Sequence, residues 1–393
     1  MPKNLLTFVD APTEFSYCMR LRHGLHAKGF RLVLMTPKPS IVAKSYLRST
    51  PCLLVQNSEN GTADLHINST TEVLAKEMGE RGAAQYYFGV MEILERMHRV
   101  EGISLLLIRN GNSIPGKAMS IFAQQNGIAT LFYEPAGIQG KLFVDPRGVG
   151  AQSLLFQKPE ILDKYTVNNG AFDQWRKSYL QQRSVERIEN PEVSSDTEHS
   201  TNSLLDLLAG AFYSLPSSDS VPNHNALRGV LQYDTYDVNT GAYNFFPMQA
   251  SNDSRVMFNS SVNLQDAIDI AYDKSREQQR DLLILPHSHE HKKETFDHLS
   301  SMRGKKGIFI VSGSPYGFVE QCKELITINS VLSIDAMLAG KKVTFLGATY
   351  YAQMNDDRLK KFLLGYLIDI DYYAKESISA KQVEGMLSRL LLQ

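Results

Sequence analysis

The sequence predicts an α/β fold of two Rossmann-like domains with a cleft between them. Three observations predict it. Short apolar runs alternate with amphipathic helical stretches in both halves of the chain. The alternation lapses once, from about Gln182 to Asn225, where Ser, Asn, Glu and Pro dominate. The 393 residues suit two domains at roughly 150 residues each. Strands alternating with helices imply parallel sheets covered on both faces.

The first half opens with an apolar run at Leu5–Val9, a helical pattern over Thr13–Lys28, and a second run at Arg31–Met35. This is a β-α-β unit in which Gly29 stops the helix and feeds the next strand. A helix over Ala83–Val100, a strand at Ser104–Ile108, a helix over Pro115–Asn126 and a strand at Ala129–Tyr133 extend it. Inside the polar stretch, Leu204–Tyr213 reads as a helix. Alternation resumes with strands at Arg228–Gln232, Leu282–Leu285, Lys306–Val311, Leu325–Ile328 and Lys342–Leu346, and helices over Leu264–Arg280 and Ile334–Ala339. The domains are expected at 1–205 and 227–375, joined by a linker at 206–226, with 376–393 as a helix packing back across them. No internal repeat is found.

Composition excludes several classes of function. With 41 basic against 42 acidic residues, bulk charge does not draw the chain to nucleic acid or acidic lipid. Cys18, Cys52 and Cys322 are far apart in sequence and read as buried small hydrophobes in a reducing compartment. The first ten residues hold no signal-peptide core, and no apolar run approaches the length needed to span a bilayer. The expected location is cytoplasmic, compatible with a peripheral place at the inner membrane. GxGxxG after the first strand, GxxxxGK[ST], HExxH and GxSxG are all lacking, so the NAD, P-loop, zincin and α/β-hydrolase readings lose their usual support. Pro286-His-Ser-His-Glu-His291 suggests metal only superficially, because no partner ligands sit at ligand spacing; His289 and His291 read as solvated.

Four segments carry more information: Arg109-Asn-Gly111 with the strand ending in Tyr133-Glu-Pro-Ala-Gly137; Val144-Asp-Pro-Arg-Gly-Val-Gly150; Val230-Leu-Gln-Tyr-Asp-Thr-Tyr-Asp-Val-Asn239; and Leu285-Pro-His287 with the run Thr327-Ile-Asn-Ser through Gly347. In this order they resemble the capsule-polysaccharide transferases of the KpsC/KpsS type and the retaining β-Kdo transferases of lipopolysaccharide O-antigen assembly. The resemblance spans about Leu105 to Tyr351. Its most specific part is the last, where the family has a Lys-Pro-His-Pro-like strand end and a Thr-x-Asn-Ser-x-x-x-x-Glu-Ala-Leu-x-x-Gly-Lys run. Here Leu285, Ser288 and Asp335 stand where Lys, Pro and Glu are common.

The resemblance implies a GT-B-like glycosyltransferase, with C-terminal crossover helices, that moves Kdo from CMP-β-Kdo to a sugar hydroxyl of a bacterial surface glycan with retention. The acceptor it implies is lipid-linked, with other glycan-assembly proteins as neighbours; neither nucleic acid, cofactor nor metal is implied. CMP falls to the second domain through His287, Asn329, Ser330, Ser333 and Asp335. The residues agree: Asn329-Ser330 is a turn before a helix, a placement suited to phosphate, although the serines equally suit plain helix caps. Sugar contacts fall to Gln232, Asn110 and Gly137, and Glu134 is the candidate base for the acceptor hydroxyl. Retention by double displacement needs a carboxylate nucleophile. Asp234, nearer the expected strand end, is chosen narrowly as the nucleophile over Asp237, which better matches the family's Asp-x-polar triplet; both also suit plain turn residues. Asp145 reads as a brace of the Asp-Pro-Arg-Gly turn, and Glu160 as a residue complementing a helix dipole. The rivals are an inverting CMP- or UDP-sugar transferase of sialyltransferase type, and a non-catalytic glycan-binding or assembly domain.

Overall fold

A computed structural model describes residues 2–59, 67–189, 231–290 and 292–392. They form two α/β units, the first drawn from Met1–Ile161 and Tyr366–Gln393, the second from Leu162–Asp196 and Pro222–Gly365. The division differs from the expected one at two points. A long helix after residue 168 goes with the second unit, and the chain returns to the first at Tyr366 rather than near 376. The linker expected at 206–226 and the helix at Leu204–Tyr213 lie outside the described residues.

The first unit runs β1 (Lys3–Phe8), α1 (Pro12–Ala27), β2 (Phe30–Thr36), α2 (Pro39–Leu47), β3 (Cys52–Leu54), α3 (Thr71–Leu74), α4 (Glu80–Glu101), β4 (Leu105–Arg109), α5 (Ile114–Asn126), β5 (Ala129–Pro135), β6 (Leu142–Asp145) and α6 (Leu154–Gln157). The sheet order is β3-β2-β1-β4-β5-β6. All pairs are parallel except β5 with β6, where Phe132 opposes Asp145 and Pro135 opposes Leu142. Pro12 suits the first turn of α1, where its missing N–H is no loss. The Glu14 carboxylate there accepts from the N–H groups of Asp10 and Ala11. Gly29, at φ +81°, ends the helix as its position in the sequence predicts. Leu5, Tyr17, Leu21, Leu107 and Tyr133 build the core together with Ile370, Val383 and Met386 from the chain's last segment.

The second unit contains α7 (Asn169–Glu189), β7 (Tyr243–Pro247), α8 (Ser254–Asn259), α9 (Leu264–Glu277), β8 (Asp281–Leu285), α10 (Lys293–Met302), β9 (Ile308–Ile310), α11 (Pro315–Gln321), β10 (Glu324–Thr327), α12 (Leu332–Leu338), β11 (Lys342–Phe345) and α13 (Asp356–Lys361). Its sheet is parallel throughout, in the order β11-β10-β7-β8-β9. Phe246, Ile284 and Ile326 pack on one face and Phe245, Leu283 and Leu325 on the other, as a sheet buried on both sides requires. The strand expected at Arg228–Gln232 is described only in its last two residues. Residues 228–230 lie outside the described residues, and Leu231 and Gln232 are in no strand. The first strand among the described residues of this unit is β7, whose interior Asn244 hides the apolar pattern; its amide donates to Ser275 and Gln278 at 3.0 and 2.9 Å.

Cys18 and Cys322 are buried and Cys52 half-buried, all free thiols. Burial pushes the Cys52 thiol up to about 11 and Cys322 to about 12. No described helix is long and apolar enough to cross a membrane. In each sheet the winding direction reverses once, between β1 and β4 in the first and between β7 and β10 in the second. Ligands of open α/β sheets bind outside the strands' carboxyl ends at such reversals.

Candidate functional site

At the reversal of the second sheet, the loop after β7 meets the loop after β10. Gln249 donates from its amide to the Asn329 side chain at 2.9 Å and accepts from the Asn329 backbone N–H at 3.1 Å. Asn329 also donates to the Arg255 carbonyl at 2.8 Å. Both amides are buried, so this reciprocal pair fixes the two loops against each other. The loop after β8 is fastened to the same structure by Glu290, 1% exposed. Its carboxylate accepts from Ser251 N–H at 2.7 Å, Ser251 Oγ at 3.0 Å and Lys292 N–H at 2.8 Å. Three strand ends are thereby held as one rigid edge.

His287 follows β8 on that edge. Its Nδ1 accepts from the His289 N–H at 3.1 Å, so the neutral ring carries its proton on Nε2. Ser330 Oγ accepts from the Leu332 N–H at 3.2 Å, a local turn bond just ahead of α12, whose N-cap is Val331. Ser333 is fully buried, and its hydroxyl has no hydrogen-bond partner among the described residues. Asp335 is differently employed from the ribose contact the resemblance implies. It is buried, with one oxygen taking the Tyr179 hydroxyl at 2.6 Å and the other Arg183 at 2.8 Å. Arg176 reaches the Leu338 carbonyl beside them. Asp335 thus fastens α7 to α12, which is why α7 goes with this unit. His291 lies outside the described residues. Among those described, no group of three or more His, Cys, Asp or Glu side chains is placed to hold a metal ion.

Residues 231–242 are in no strand themselves. They run down the open side of β9, from its carboxyl end toward the start of β8. Asp234 donates its N–H to the Ile310 carbonyl at 2.7 Å, and its carboxylate accepts from the Ile310 N–H at 2.9 Å and Arg303 at 3.1 Å. Arg303 also holds the Gln232 side chain. Tyr236 stacks edge-on against Phe309 and donates to Asp281, the first residue of β8, at 3.0 Å. Asp237 therefore lies toward the amino ends of the strands, capping the turn at Val238–Thr240 through the Asn239 N–H. The carboxylate that does follow the central strand is Asp253, which caps α8 through the Arg255 N–H at 2.8 Å. Sequence reasoning missed Gln249 and Asp253 because it missed β7; the signal was Phe245-Phe-Pro-Met248 followed by a polar loop. It passed over Glu290, beyond the correctly placed β8, because its partner Ser251 lies in the loop after the missed strand.

In the first unit, Asn110 follows β4 at φ +43° and Gly111 at φ +84°. A side chain at Gly111 would meet the Phe132 ring at 2.8 Å. The Asn110 side chain accepts from the Asn112 N–H, and its own N–H donates to the Tyr133 carbonyl at 3.1 Å. That places Asn110 beside Glu134, which sits within β5 opposite Phe143. Gly137, exposed at φ +70°, lies in the turn between β5 and β6. Asp145 braces its turn, accepting from the N–H groups of Arg147, Gly148, Leu154 and Leu155 and from the Tyr366 hydroxyl. Glu160 lies in the first turn of the short helix Pro159–Lys164. Glu72 went unnoticed in the sequence. Both its oxygens accept from the Ile114 N–H that opens α5, at 3.1 and 3.0 Å, and burial pushes its carboxyl up to about 7.

Residues 230–358 match the family described as capsule polysaccharide biosynthesis protein. The match covers the second sheet and its three fastened loops. Similar solved structures include KpsC β-Kdo 2,7 transferase of Thermosulfurimonas dismutans, at 13% identity over 99% of each chain with a TM-score of 0.48. They also include KpsC β-Kdo 2,4 transferase of the same organism, at 15% identity over 74% of this chain and 88% of that one, TM-score 0.44. UDP-GlcNAc 2-epimerase from Neisseria meningitidis bound to UDP-GlcNAc is similar at 10% identity over all of both chains, TM-score 0.34. No curated protein matches the chain.

Proposed function

We propose that this protein is a glycosyltransferase of bacterial surface-polysaccharide assembly that moves Kdo from CMP-β-Kdo to a sugar hydroxyl with retention. The observation that carries the reading is the fastened edge at Gln249 and Asn329, which is the ligand position of a doubly wound sheet and falls inside the segment matching the capsule family. His287, with its proton on Nε2, and the Asn329-Ser330 turn meet the CMP phosphate. The Ser333 hydroxyl supplies a further donor. Asp335 acts by fixing the helix it stands on. Donors held rigidly before the reaction stabilise a departing phosphate without reorganising.

The β configuration of CMP-Kdo, kept in a β product, calls for double displacement through a carboxylate. Asp234 is committed to Ile310 and Arg303, and Asp237 lies toward the far ends of the strands. The attacking group on the ligand edge is then Asp253. In the first unit, Glu134 beside Asn110 serves as base for the acceptor hydroxyl.

Mixing the protein with CMP-Kdo and a glycan acceptor should release CMP, and NMR of the product should show the β anomer. An α anomer would mean inversion, and no CMP release would leave a glycan-binding domain. In thermal shift assays CMP should stabilise and UDP or GDP much less, with a gain of roughly 2.7 kcal/mol at 100 times the dissociation constant. Equal shifts with all three nucleotides would remove the CMP assignment.

A further inference from the structure

A second feature on the ligand edge is used by none of these steps. A cavity of about 300 Å3 opens between α8, the start of α9 and the start of α10. Ser251, Ser260, Ser261, Gln265, Lys292 and Thr295 supply its polar wall. Two helices of more than two turns begin there. Asn263 caps α9 by accepting from the Asp266 N–H at 2.9 Å. The N–H groups of Leu264 and Gln265, in the same first turn, have no place in the helical ladder, and both residues line the cavity.

Thr295 is the deciding residue. It is 0% exposed, it lines the cavity, and its hydroxyl has no hydrogen-bond partner among the described residues. Buried hydroxyls are ordinarily paired, and an unpaired one signals a missing partner. The charges nearby leave room for an anion. Glu290 is satisfied by Ser251 and the Lys292 N–H, and Asp266 is bonded to the Asn263 amide at 2.7 Å. The Lys292 side chain is exposed and contributes a cation.

We propose that this cavity is a binding subsite for an oxyanion on a hydroxylated ligand, held by Lys292, the first turn of α9 and the Thr295 hydroxyl. A carboxylate of an acidic sugar and a phosphate share this chemistry. The inference rests on the transferase reading only in the choice of sugar probe.

The test titrates the full chain with inorganic phosphate, free Kdo and galactose, by calorimetry and thermal shift, with Lys292→Ala and Thr295→Val alongside. Phosphate or Kdo should bind and galactose should not; whichever anion binds more tightly identifies the source. Lys292→Ala should weaken that binding about tenfold, as loss of a charge-assisted contact does. Thr295→Val should melt no lower than the parent without ligand, since it removes an unpaired hydroxyl, yet bind the anion several-fold more weakly. The subsite is overturned if neither anion binds, if both variants bind like the parent, or if Thr295→Val alone melts lower. A normal CMP shift beside failed anion binding sinks the subsite and leaves the transferase reading standing. Anion binding without any CMP preference does the reverse.

Discussion

Asp234 and Asp253 show how the same residue type takes opposite roles by position. Asp234 extends the hydrogen-bonding edge of β9, pairing with Ile310 through both its backbone and its carboxylate. Asp234→Asn keeps an acceptor for the Ile310 N–H and loses the charge opposite Arg303. It should cost about 1 kcal/mol in urea unfolding and leave activity per folded molecule near the parent's. Asp253→Asn should instead fold with only a modest loss at the α8 cap, bind CMP, and lose transfer by about a thousandfold or more. Intact-mass measurement on the parent should place a Kdo adduct on the peptide spanning Gln249 to Arg255. An active Asp253→Asn beside a dead Asp234→Asn would reverse the assignment. The sequence could not make this choice. Both aspartates come within a few residues of an apolar run, and the pairing of β7 with β8 and β10, beside the hydrogen bonds of Asp234 to Ile310, reveals which stretch is a strand and which a strap along one.

At the scale of elements, the α/β alternation was legible wherever strands were uniformly apolar and helices amphipathic, as in β1-α1-β2, β4-α5-β5 and β8. It failed at β7, where Asn244 interrupts the run for a buried hydrogen bond, and at Asp335, whose partners lie about 150 residues away on α7 and leave no local trace. Glu72 is a third such case, since α3 caps α5 across 42 residues. Its folded carboxyl is raised from 4.5 to about 7 because burial penalises the charge. Below pH 4.5 it is protonated in both folded and unfolded chains. Between 4.5 and 7 the unfolded chain gives up the proton and the folded chain keeps it, so this group lowers stability as pH rises through that window. The loss approaches about 3 kcal/mol at its upper bound. Glu72→Gln should flatten that decline, so that its stability relative to the parent improves from pH 5 to pH 7.5 in denaturant titrations. A constant offset across the range would mean that Glu72 ionises normally.

For the whole molecule, the decisive feature is that the chain's last segment completes the first unit rather than the second. Leu142 bridges Ile368, and the Arg20 guanidinium holds the carbonyls of Asp371 and Tyr372. Ile368, Ile370, Tyr372, Val383 and Met386 are buried in the same core as Leu5, Tyr17 and Tyr133. Burying side chains of this size is worth about 1.5–3 kcal/mol each, so the five together contribute roughly 7–15 kcal/mol, as much as the net stability of a domain. The sequence placed a returning helix here without showing that the first unit depends on it, because the contacts join residues more than 200 apart. A chain ending at Gly365 should therefore lose the cooperative unfolding of the first unit while the second, whose sheet and fastened loops are all present, keeps its own transition. In calorimetry the parent should show heat absorption from both units, and the shortened chain only the part that CMP shifts upward. Two intact transitions in the shortened chain would mean that residues 366–393 cover the first unit without holding it together.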